Sequence, residues 1–226
     1  MTADPFLVIP VKPSSGGKQR LAGTLPDPGR EMLSLALAVR VISLAAGVWP
    51  AGRVVVISSE PRLVPICERL VVARAGDPGA GQTAAVRSGV GWALERGARV
   101  VATVAADLPG VSGSDLEQLL ATARSLAAGS MAMYPDREGS GTNAMVVAPA
   151  SLMVHAFGPG SRLRHERIAA HLGLRLRVEE VAGLGWDLDR PEDLDATTVG
   201  LPHPLLNWAV QLAHHGPHRA EAQIGG

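Results

Sequence analysis

The sequence predicts an α/β protein whose mainly parallel sheet carries helices on both faces. Short apolar runs alternate with segments of helical periodicity along the 226 residues, and this alternation is typical of strand–helix–strand units. Hydrophobic residues make up 46% of the chain but aromatic residues only 3%. The core must therefore consist of Val, Leu, Ile and Ala, which suits buried parallel strands and the helices that cover them.

The first half of the chain begins with the apolar run FLVIPV at 6–11, which is predicted to be a strand. A helix is expected over 27–47, because Asp27 is a plausible N-cap, Pro28 suits the first helical position and Gly47 suits the end. The other elements of this half are predicted as a strand at 53–58, a short helix at 60–70, a weak strand at 71–75 and a helix at 82–97.

The second half begins with the apolar run RVVATVA at 99–105, a strong strand candidate. A helix over 112–129 follows, with Ser112 or Ser114 as its cap. The alternation of LRLRVEEV at 174–181 indicates another strand. The remaining elements are predicted as strands at 130–135 and 142–149, a helix at 161–173 and a last short helix beginning at 190.

Composition also bounds the domain organisation and the compartment. Residues 1–200 are expected to form one domain, and residues 201–226, which differ in composition, a partly mobile extension. Cys67 is the only cysteine, so no intramolecular disulfide can form, which fits a reducing cytoplasm. The N-terminus lacks a signal-peptide pattern, and the longest apolar stretch, near 32–49, is interrupted by Arg40. We therefore predict a cytoplasmic protein that does not bind a membrane.

The overall charge argues against one class of function. Lys and Arg together number 21, and so do Asp and Glu, so the chain has no formal net charge. A general nucleic-acid binder usually carries a basic excess. We therefore expect no nucleic-acid partner.

A basic loop follows the first strand. Lys12, Lys18 and Arg20 surround a Gly16–Gly17 pair. Ligands bind at the carboxyl ends of strands in parallel sheets, and glycines let backbone N–H groups approach a phosphate closely. The spacing fits neither a Walker A loop nor a Rossmann glycine motif, so the sequence indicates a phosphate-binding loop of another kind. The alternative is a solvated basic turn.

Three aspartates form a candidate metal site. Asp107 ends the strong strand, where a carboxylate faces the ligand crevice. Asp187 and Asp189 are two residues apart, so in an extended segment they point to one side. Carboxylate oxygens on one side are typical ligands of a hard cation such as Mg²⁺. The alternative is that all three act as caps or turn residues.

A second anion site is predicted near the helix at 161–173. The stretch GTN at 141–143 leads into a strand, and Gly158, Gly160 and Ser161 precede or begin the helix. Backbone N–H groups at a helix N-terminus bind anions, with Ser161 expected as the cap. A metal between two phosphate sites indicates transfer between two phosphorylated molecules. The acceptor's ionised phosphate would attack the α-phosphate of a nucleoside triphosphate, so no strong general base is needed.

Five motifs in order carry a resemblance to a known family. They are IPVKPSSGGKQRLAG, ADLPGV, GTNAM, FGPGSRLRH and DLDRPEDL. From about residue 6 to 198 the chain resembles the phospholactate/phosphoenolpyruvate guanylyltransferases of deazaflavin coenzyme F-420 biosynthesis. The resemblance implies a Rossmann-like nucleotidyltransferase fold of the glycosyltransferase-A type, GTP as donor, Mg²⁺, and a small phosphorylated three-carbon acid as acceptor. It leaves a homodimer open.

The resemblance also assigns roles to individual residues. It implies that Asp107, Asp187 and Asp189 hold the metal. Thr142, Gly158 and Ser161 would hold the acceptor. The basic loop, with Lys12, Gly16, Gly17, Lys18 and Arg20, would hold the triphosphate, and Lys18, Arg20 and Asp107 would act in catalysis.

One segment departs from the family pattern. The stretch at 81–86 reads GQTAAV, with Thr83 where the family usually has Asn near the base. Thr83 is therefore a candidate nucleotide contact that puts guanine preference in question. The alternatives are a related nucleotidyltransferase that uses CTP or another acceptor, and a nucleotide-binding module without catalysis.

Overall fold

The computed structural model describes residues 4–13 and 17–197, and these form a seven-stranded sheet with helices on both faces. The strands are Phe6–Pro10 (β1), Val54–Ile57 (β2), Ala73–Ala75 (β3), Val101–Val104 (β4), Ser130–Pro135 (β5), Thr142–Ala148 (β6) and Arg175–Val178 (β7). The helices are Asp27–Val48 (α1), Val64–Arg69 (α2), Gln82–Leu94 (α3), Gly113–Ser125 (α4), Ser161–His171 (α5), Ala182–Gly185 (α6) and Pro191–Thr197 (α7). The predicted extension at 201–226 and Gly16 lie outside the described residues.

The strand order is β3-β2-β1-β4-β6-β5-β7. All neighbouring pairs are parallel except those of β6, which is antiparallel to both β4 and β5. The reversal follows from the short connection between β5 and β6, because a parallel connection needs a crossover of a dozen or more residues. The mainly parallel sheet expected from the sequence is confirmed, and β6 is the one strand that runs the other way.

The five inner strands, β1, β2, β4, β5 and β6, bury both of their faces, whereas the edge strands β3 and β7 are partly exposed. In β1, Leu7 and Ile9 belong to the core on the side of α1 and α4, whereas Phe6 and Val8 belong to the core on the side of α3 and α5. A strand covered on both sides is expected to be a continuous apolar run. This explains why FLVI shows no polar alternation.

Several element boundaries differ from the sequence-based expectation. Ser112 does cap α4, and its hydroxyl accepts from the Asp115 N–H. The expected cap of α1 is wrong, because Pro26 is the N-cap and Asp27 is already helical. Gly47 lies inside the last turn of α1, which ends at Val48. Helix α6 was not predicted, since its four residues are too few to show a helical period.

Helix α1 is long and apolar enough to cross a membrane by length and composition, with a mean hydropathy of 1.7 over its best window. The sequence analysis took Arg40 to interrupt this apolar stretch, but the helix still has the length and composition of a membrane-spanning segment. In the structure Leu33, Leu37, Val41 and Ile42 of this helix are fully buried within the protein core. Core packing accounts for the apolar character of these four residues.

Replacing Gly89 by alanine is expected to destabilise the fold. A Cβ at this position in α3 would overlap the Val8 side chain and stand 2.9 Å from Ile57 Cγ1, so α3 would have to move off the sheet. Such overpacking typically costs about 1–3 kcal/mol. Gly91→Ala in the same helix is the matched control, because nothing lies within 4 Å of its added Cβ. Its denaturant midpoint should equal or exceed that of the parent, and equal midpoints for both variants would contradict this packing account.

Candidate active site

The carboxyl edge of the sheet brings together segments that are far apart in the chain. Strands β1 and β4 end at this edge, and β6 begins there because it runs in the opposite direction. The Ala105 N–H donates to the Asn143 carbonyl at 2.7 Å, which places the start of β6 beside the Asp107 turn. The antiparallel strand therefore carries Thr142 and Asn143 to the same edge as the basic loop.

Two cavities open at this edge. The first, here called the loop cavity, has a volume of about 160 Å³. Its lining includes Lys12, Gly17, Lys18, Ser34, Asp77 and Gln82. The second, the α5 cavity, has a volume of about 380 Å³, and its lining includes Thr142, Asn143, Gly158, Gly160, Ser161 and Asp187. Asp107 and Asp189 line both cavities, so the two spaces meet at the predicted metal site.

A backbone hydrogen bond joins the two aspartate segments. The Leu188 N–H donates to the Asp107 carbonyl at 3.1 Å, and the Leu188 side chain is fully buried against α1. In this irregular segment Asp187 and Asp189 flank that anchor, and both line the α5 cavity. The structure therefore brings the three predicted aspartates to one place.

Lys18 forms an ion pair with Asp107. Its Nζ lies 2.7 Å from Asp107 Oδ2, and the lysine side chain is only 6% exposed, whereas that of Asp107 is 40% exposed. Burial alone would raise the pKa of Asp107, but the neighbouring Lys18 ammonium, its hydrogen bond and the charge of Lys12 hold that pKa below its ordinary value. Asp107 is therefore ionised at neutral pH.

Arg20 pairs with Asp189 in the same way, at 2.5 Å between Nη1 and Oδ2, on the exposed rim. Asp193 holds the segment around Asp189 in place, because its carboxylate accepts from the backbone N–H groups of Asp189 and Arg190 at 2.8 and 2.7 Å. Arg137 forms an ion pair with Asp193 from the β5–β6 connection. Asp193 therefore has a structural role in this segment.

Asp187 carries the least compensated negative charge of the three. Burial and then the charge of Asp107 raise the pKa of its carboxyl, although a hydrogen bond from Asn143 opposes the change. A cation placed between Asp187 and Asp107 would relieve this repulsion. Among residues 4–13 and 17–197, there is no group of three or more His, Cys, Asp or Glu side chains that could hold a metal ion by itself. The aspartates fit Mg²⁺ in its usual protein setting, where one or two carboxylates share the ion with substrate phosphates.

One expectation about the acceptor residues needs correction, and one contact was not foreseen. Ser161 is not the cap of α5, because Gly160 occupies the N-cap position with a positive φ of 69° and Ser161 is the first helical residue. The Thr142 hydroxyl is not free, because it lies 3.0 Å from His165 Nδ1. Both side chains are nevertheless buried beside the α5 cavity, Ser161 at 2% and Thr142 at 6% exposure. Their contact with an acceptor stays a prediction.

Thr83 lies in the first turn of α3 but lines neither cavity, whereas its neighbour Gln82 lines both. The nucleotide role of Thr83 stays a prediction. Gln82 is a site residue that the sequence analysis missed, although it stands in the segment that was singled out.

Asn143 was missed in the same way. Its Nδ2 donates to the Leu184 carbonyl at 3.0 Å, it lines the α5 cavity together with Asp187, and it opposes the rise in the pKa of that aspartate. The signal was present in the GTN stretch, but only the antiparallel placement of β6 makes it meaningful.

A pair of buried histidines lies behind the α5 cavity. His155 stacks on Phe157 at 5.6 Å between ring centroids, and His165 meets the edge of Phe157 at 5.2 Å. Neither ring nitrogen of His155 has a hydrogen-bond partner among the described residues. Burial, followed by the charge of neighbouring groups, lowers the pKa of His155 to about 3 and that of His165 to about 4.

These depressed pKa values predict a loss of stability in acid. The unfolded chain takes up a proton at each histidine near pH 6.5, before the folded protein does, so the free energy of unfolding falls as pH drops below that value. Each histidine contributes about 1.4 kcal/mol per pH unit in this interval. His155→Leu removes one contribution and an unsatisfied polar ring. Its unfolding free energy should fall less steeply between pH 6.5 and 4, and a slope equal to that of the parent would contradict the account.

Solved structures share this architecture. A protein from Desulfovibrio desulfuricans described as a nucleotide-diphospho-sugar transferase superposes with a TM-score of 0.65 at 12% identity, covering 95% of this chain and 99% of that one. A nucleotidyl transferase from Methanothermobacter superposes with a TM-score of 0.59 at 15% identity, covering 86% and 95%. At such identities the likeness concerns the fold.

The solved structures that share this fold include nucleotidyltransferases, and the sequence comparisons show the family. A family model described as "Guanylyl transferase CofC like" matches residues 6–199, and the chain belongs to that family. Proteins named phosphoenolpyruvate guanylyltransferase are among its relatives. The one from Rubrobacter xylanophilus is 38% identical, covering 84% of this chain and 91% of its own. The one from Sphaerobacter thermophilus is 35% identical, covering 97% of both.

Proposed function

We propose that the protein transfers GMP from GTP to a small phosphorylated three-carbon acid, phosphoenolpyruvate or 2-phospho-L-lactate, and releases pyrophosphate. The observation that carries the proposal is that the loop cavity and the α5 cavity share Asp107 and Asp189. Two phosphorylated molecules, one in each cavity, would meet at these carboxylates. The names of the relatives support the donor and the acceptor. We place the reaction in the cytoplasm, within deazaflavin coenzyme F-420 biosynthesis.

In this proposal the acceptor's phosphate oxygen attacks the α-phosphate of GTP in line. A new P–O–P bond forms, the bond between the α-phosphorus and the oxygen bridging to the β-phosphate breaks, and pyrophosphate leaves. The acceptor's phosphate is already ionised, so catalysis rests on positioning and charge neutralisation. In this proposal Lys12, Lys18 and Arg20 neutralise the triphosphate. The cavity linings support this, because Lys12 and Lys18 line the loop cavity and Arg20 lines the α5 cavity next to it.

Asp107, Asp187 and Asp189 are the residues that would hold Mg²⁺. The ion, when bound, supplies further neutralisation of charge on the reacting phosphates. Without substrate, Lys18 and Arg20 balance two of these aspartates. With GTP bound, the same two cations are proposed to turn to its phosphates. This exchange of partners keeps the buried charges compensated in both states.

The acceptor is proposed to lie in the α5 cavity. Its phosphate would face the hydroxyl groups of Thr142 and Ser161 at the first turn of α5, where the helix dipole favours an anion. The Ser161 and Arg162 N–H groups already donate to the Gly158 and Ser140 carbonyls. The carboxylate of the acid would lie nearer Arg137 and Arg190, which line the same cavity. Two separate groups of donors suit a ligand with two anionic ends.

A related enzyme that uses CTP is the second candidate, because Thr83 replaces the usual residue near the base and lines neither cavity. A nucleotide-binding module without catalysis is the third candidate, and the three aspartates that line the α5 cavity, two of them shared with the loop cavity, argue against it.

The test is a matrix of GTP, CTP, ATP and UTP against phosphoenolpyruvate, phospholactate and phosphoglycerate, read by pyrophosphate release. The proposal predicts release with GTP that depends on one of the first two acids. Release with CTP alone would favour the second candidate. Nucleotide binding without release from any pair would favour the third.

Activity is expected to depend on a divalent cation. Excess chelator should abolish pyrophosphate release, and added Mg²⁺ should restore it, because Asp187 and Asp107 repel each other without a cation between them. Circular dichroism of the chelated protein serves as the control for folding. Full activity in excess chelator would contradict the metal assignment.

A further inference from the structure

We infer that His165 is a positioning residue that makes the Thr142 hydroxyl a directed donor to the phosphate of the acceptor. The inference rests on the proposed function in one respect, namely that a phosphorylated acid occupies the α5 cavity. Neither the family match nor the names of the relatives assign a role to His165.

The hydrogen bonds of His165 fix its tautomer. Its Nε2 lies 2.9 Å from the backbone nitrogen of Ala156, which can only donate. Nε2 must therefore accept, and in the neutral ring the proton is on Nδ1. Nδ1 lies 3.0 Å from Thr142 Oγ1, so the ring donates to the threonine hydroxyl. His165 is fully buried, and the neutral ring fits that environment.

This donation determines what the Thr142 hydroxyl can do. Because the oxygen accepts from His165, its own proton is available to donate in another direction. Among the described residues, the acceptor within reach of that proton is the Met133 sulfur at 3.5 Å, and a thioether is a weak acceptor. A phosphate oxygen entering the α5 cavity would be a far stronger acceptor. The neutral imidazole thus leaves Thr142 with a proton to donate to an anionic ligand.

The position of His165 on α5 couples it to the rest of the cavity. Ser161 and His165 are four residues apart and lie on one face of the helix, and both are buried. Through Ala156, His165 also binds the segment that leads into Phe157–Gly160, which lines the cavity. One ring therefore connects β6, α5 and this segment.

Arg164 also holds the 156–160 segment in place. The two hydrogen bonds of His165 are therefore expected to have different functions. Arg164 donates to the carbonyl groups of Ala156, Pro159 and Gly158 at 2.9, 2.5 and 3.0 Å. Loss of the Ala156 bond alone should leave the segment in place. The hydrogen bond from His165 to Thr142 has no such second contact to replace it. Its loss is therefore expected to weaken acceptor binding.

Two conservative variants of His165 each keep one of its two hydrogen bonds and remove the other. In His165→Asn, the side-chain Nδ2 can replace Nδ1 as donor to Thr142, while the partner of the Ala156 N–H is lost. In His165→Gln, Oε1 can replace Nε2 as acceptor from Ala156, while the donor to Thr142 is lost. Thr142→Val removes the hydroxyl with little change of shape. His171→Gln, on the exposed end of the same helix, is the matched control.

The experiment measures the Kd of phosphoenolpyruvate by calorimetry and, with GTP, the KM values of both substrates. Thr142→Val should weaken phosphoenolpyruvate binding about 10- to 150-fold, the scale of a hydrogen bond to a charged group. His165→Gln should weaken it about 10-fold and His165→Asn by less than about 3-fold, both with an unchanged KM for GTP. Thr142→Val in the His165→Gln background should cost much less than it does alone. His171→Gln should change nothing.

A purely structural role would lower the Tm of both His165 variants without separating their affinities for phosphoenolpyruvate. Equal affinities, additive effects in the double variant, or an unchanged Kd in Thr142→Val would each overturn the inference. Because the Kd is measured without GTP, it is independent of transfer. Parent protein that binds phosphoenolpyruvate with the expected variant pattern but transfers no nucleotide would contradict the proposed function and support the inference.

Discussion

Asp107→Asn is expected to lower the turnover of guanylyl transfer more than about 100-fold, the scale on which removal of one key electrostatic group acts. Asparagine keeps the shape of the side chain and an oxygen that can accept from Lys18, so the local geometry is retained. It removes the negative charge at the junction of the two cavities, where the proposed Mg²⁺ and both substrates meet. The measurement is kcat by pyrophosphate release at saturating substrate and metal.

The control for Asp107→Asn is Asp4→Asn. Asp4 carries an exposed ion pair with Arg124 and lines neither of the two cavities, so its loss should leave turnover unchanged. Both variants should remain folded by circular dichroism. A loss of only a few-fold in Asp107→Asn would mean that Asp107 holds the Lys18 loop in place and does not take part in the reaction.

Lys18→Ala is expected to weaken the use of the nucleotide about 10- to 150-fold, because it removes a charge-assisted contact with a multiply charged chain. The KM for GTP should rise if the contact is already made on binding, and kcat should fall if it strengthens in the transition state. The KM for phosphoenolpyruvate should change little. Full kinetics with each substrate varied separate these outcomes.

The structure changes one expectation for this variant. From the sequence alone, Lys18 belongs to an exposed loop and its removal should not affect folding. Its side chain is in fact only 6% exposed and pairs with Asp107. Lys18→Ala should therefore also lower the denaturant midpoint, and Arg20→Ala, whose side chain is 60% exposed, should lower it less. If neither variant alters nucleotide kinetics, the basic loop is a structural turn.

The fold was largely predictable because its signals are local. Runs such as FLVIP, and VVATVA with Thr103 as its one polar residue, are almost continuously apolar, as is typical of strands buried on both faces. Ser112 marks the start of α4 because its side chain can cap the helix. The direction of β6 depends on the length of its connection to β5 and not on the apolar pattern of the strand itself. The positions of Pro26 and Gly160 as caps depend on backbone angles and not on side-chain type.

The site was predictable in its parts but not in its pairings. Charged residues after apolar runs point to a ligand edge, and this identified Lys18 and Asp107 separately. That the two form an ion pair across 89 positions of sequence follows only from the tertiary structure. His165 was overlooked because a histidine inside an amphipathic helix has no distinctive pattern. Its role depends on Thr142 and Ala156, which the fold brings together.

The central claim is that the acceptor's phosphate attacks the α-phosphate of GTP. Phosphoenolpyruvate labelled with ¹⁸O in its terminal phosphate oxygens, incubated with GTP, Mg²⁺ and the protein, tests it directly by mass spectrometry. The account predicts a GMP–phosphoenolpyruvate product that retains every labelled oxygen, together with unlabelled pyrophosphate in equal amount. Release of GDP, labelled pyrophosphate, or GMP without a joined product would contradict it.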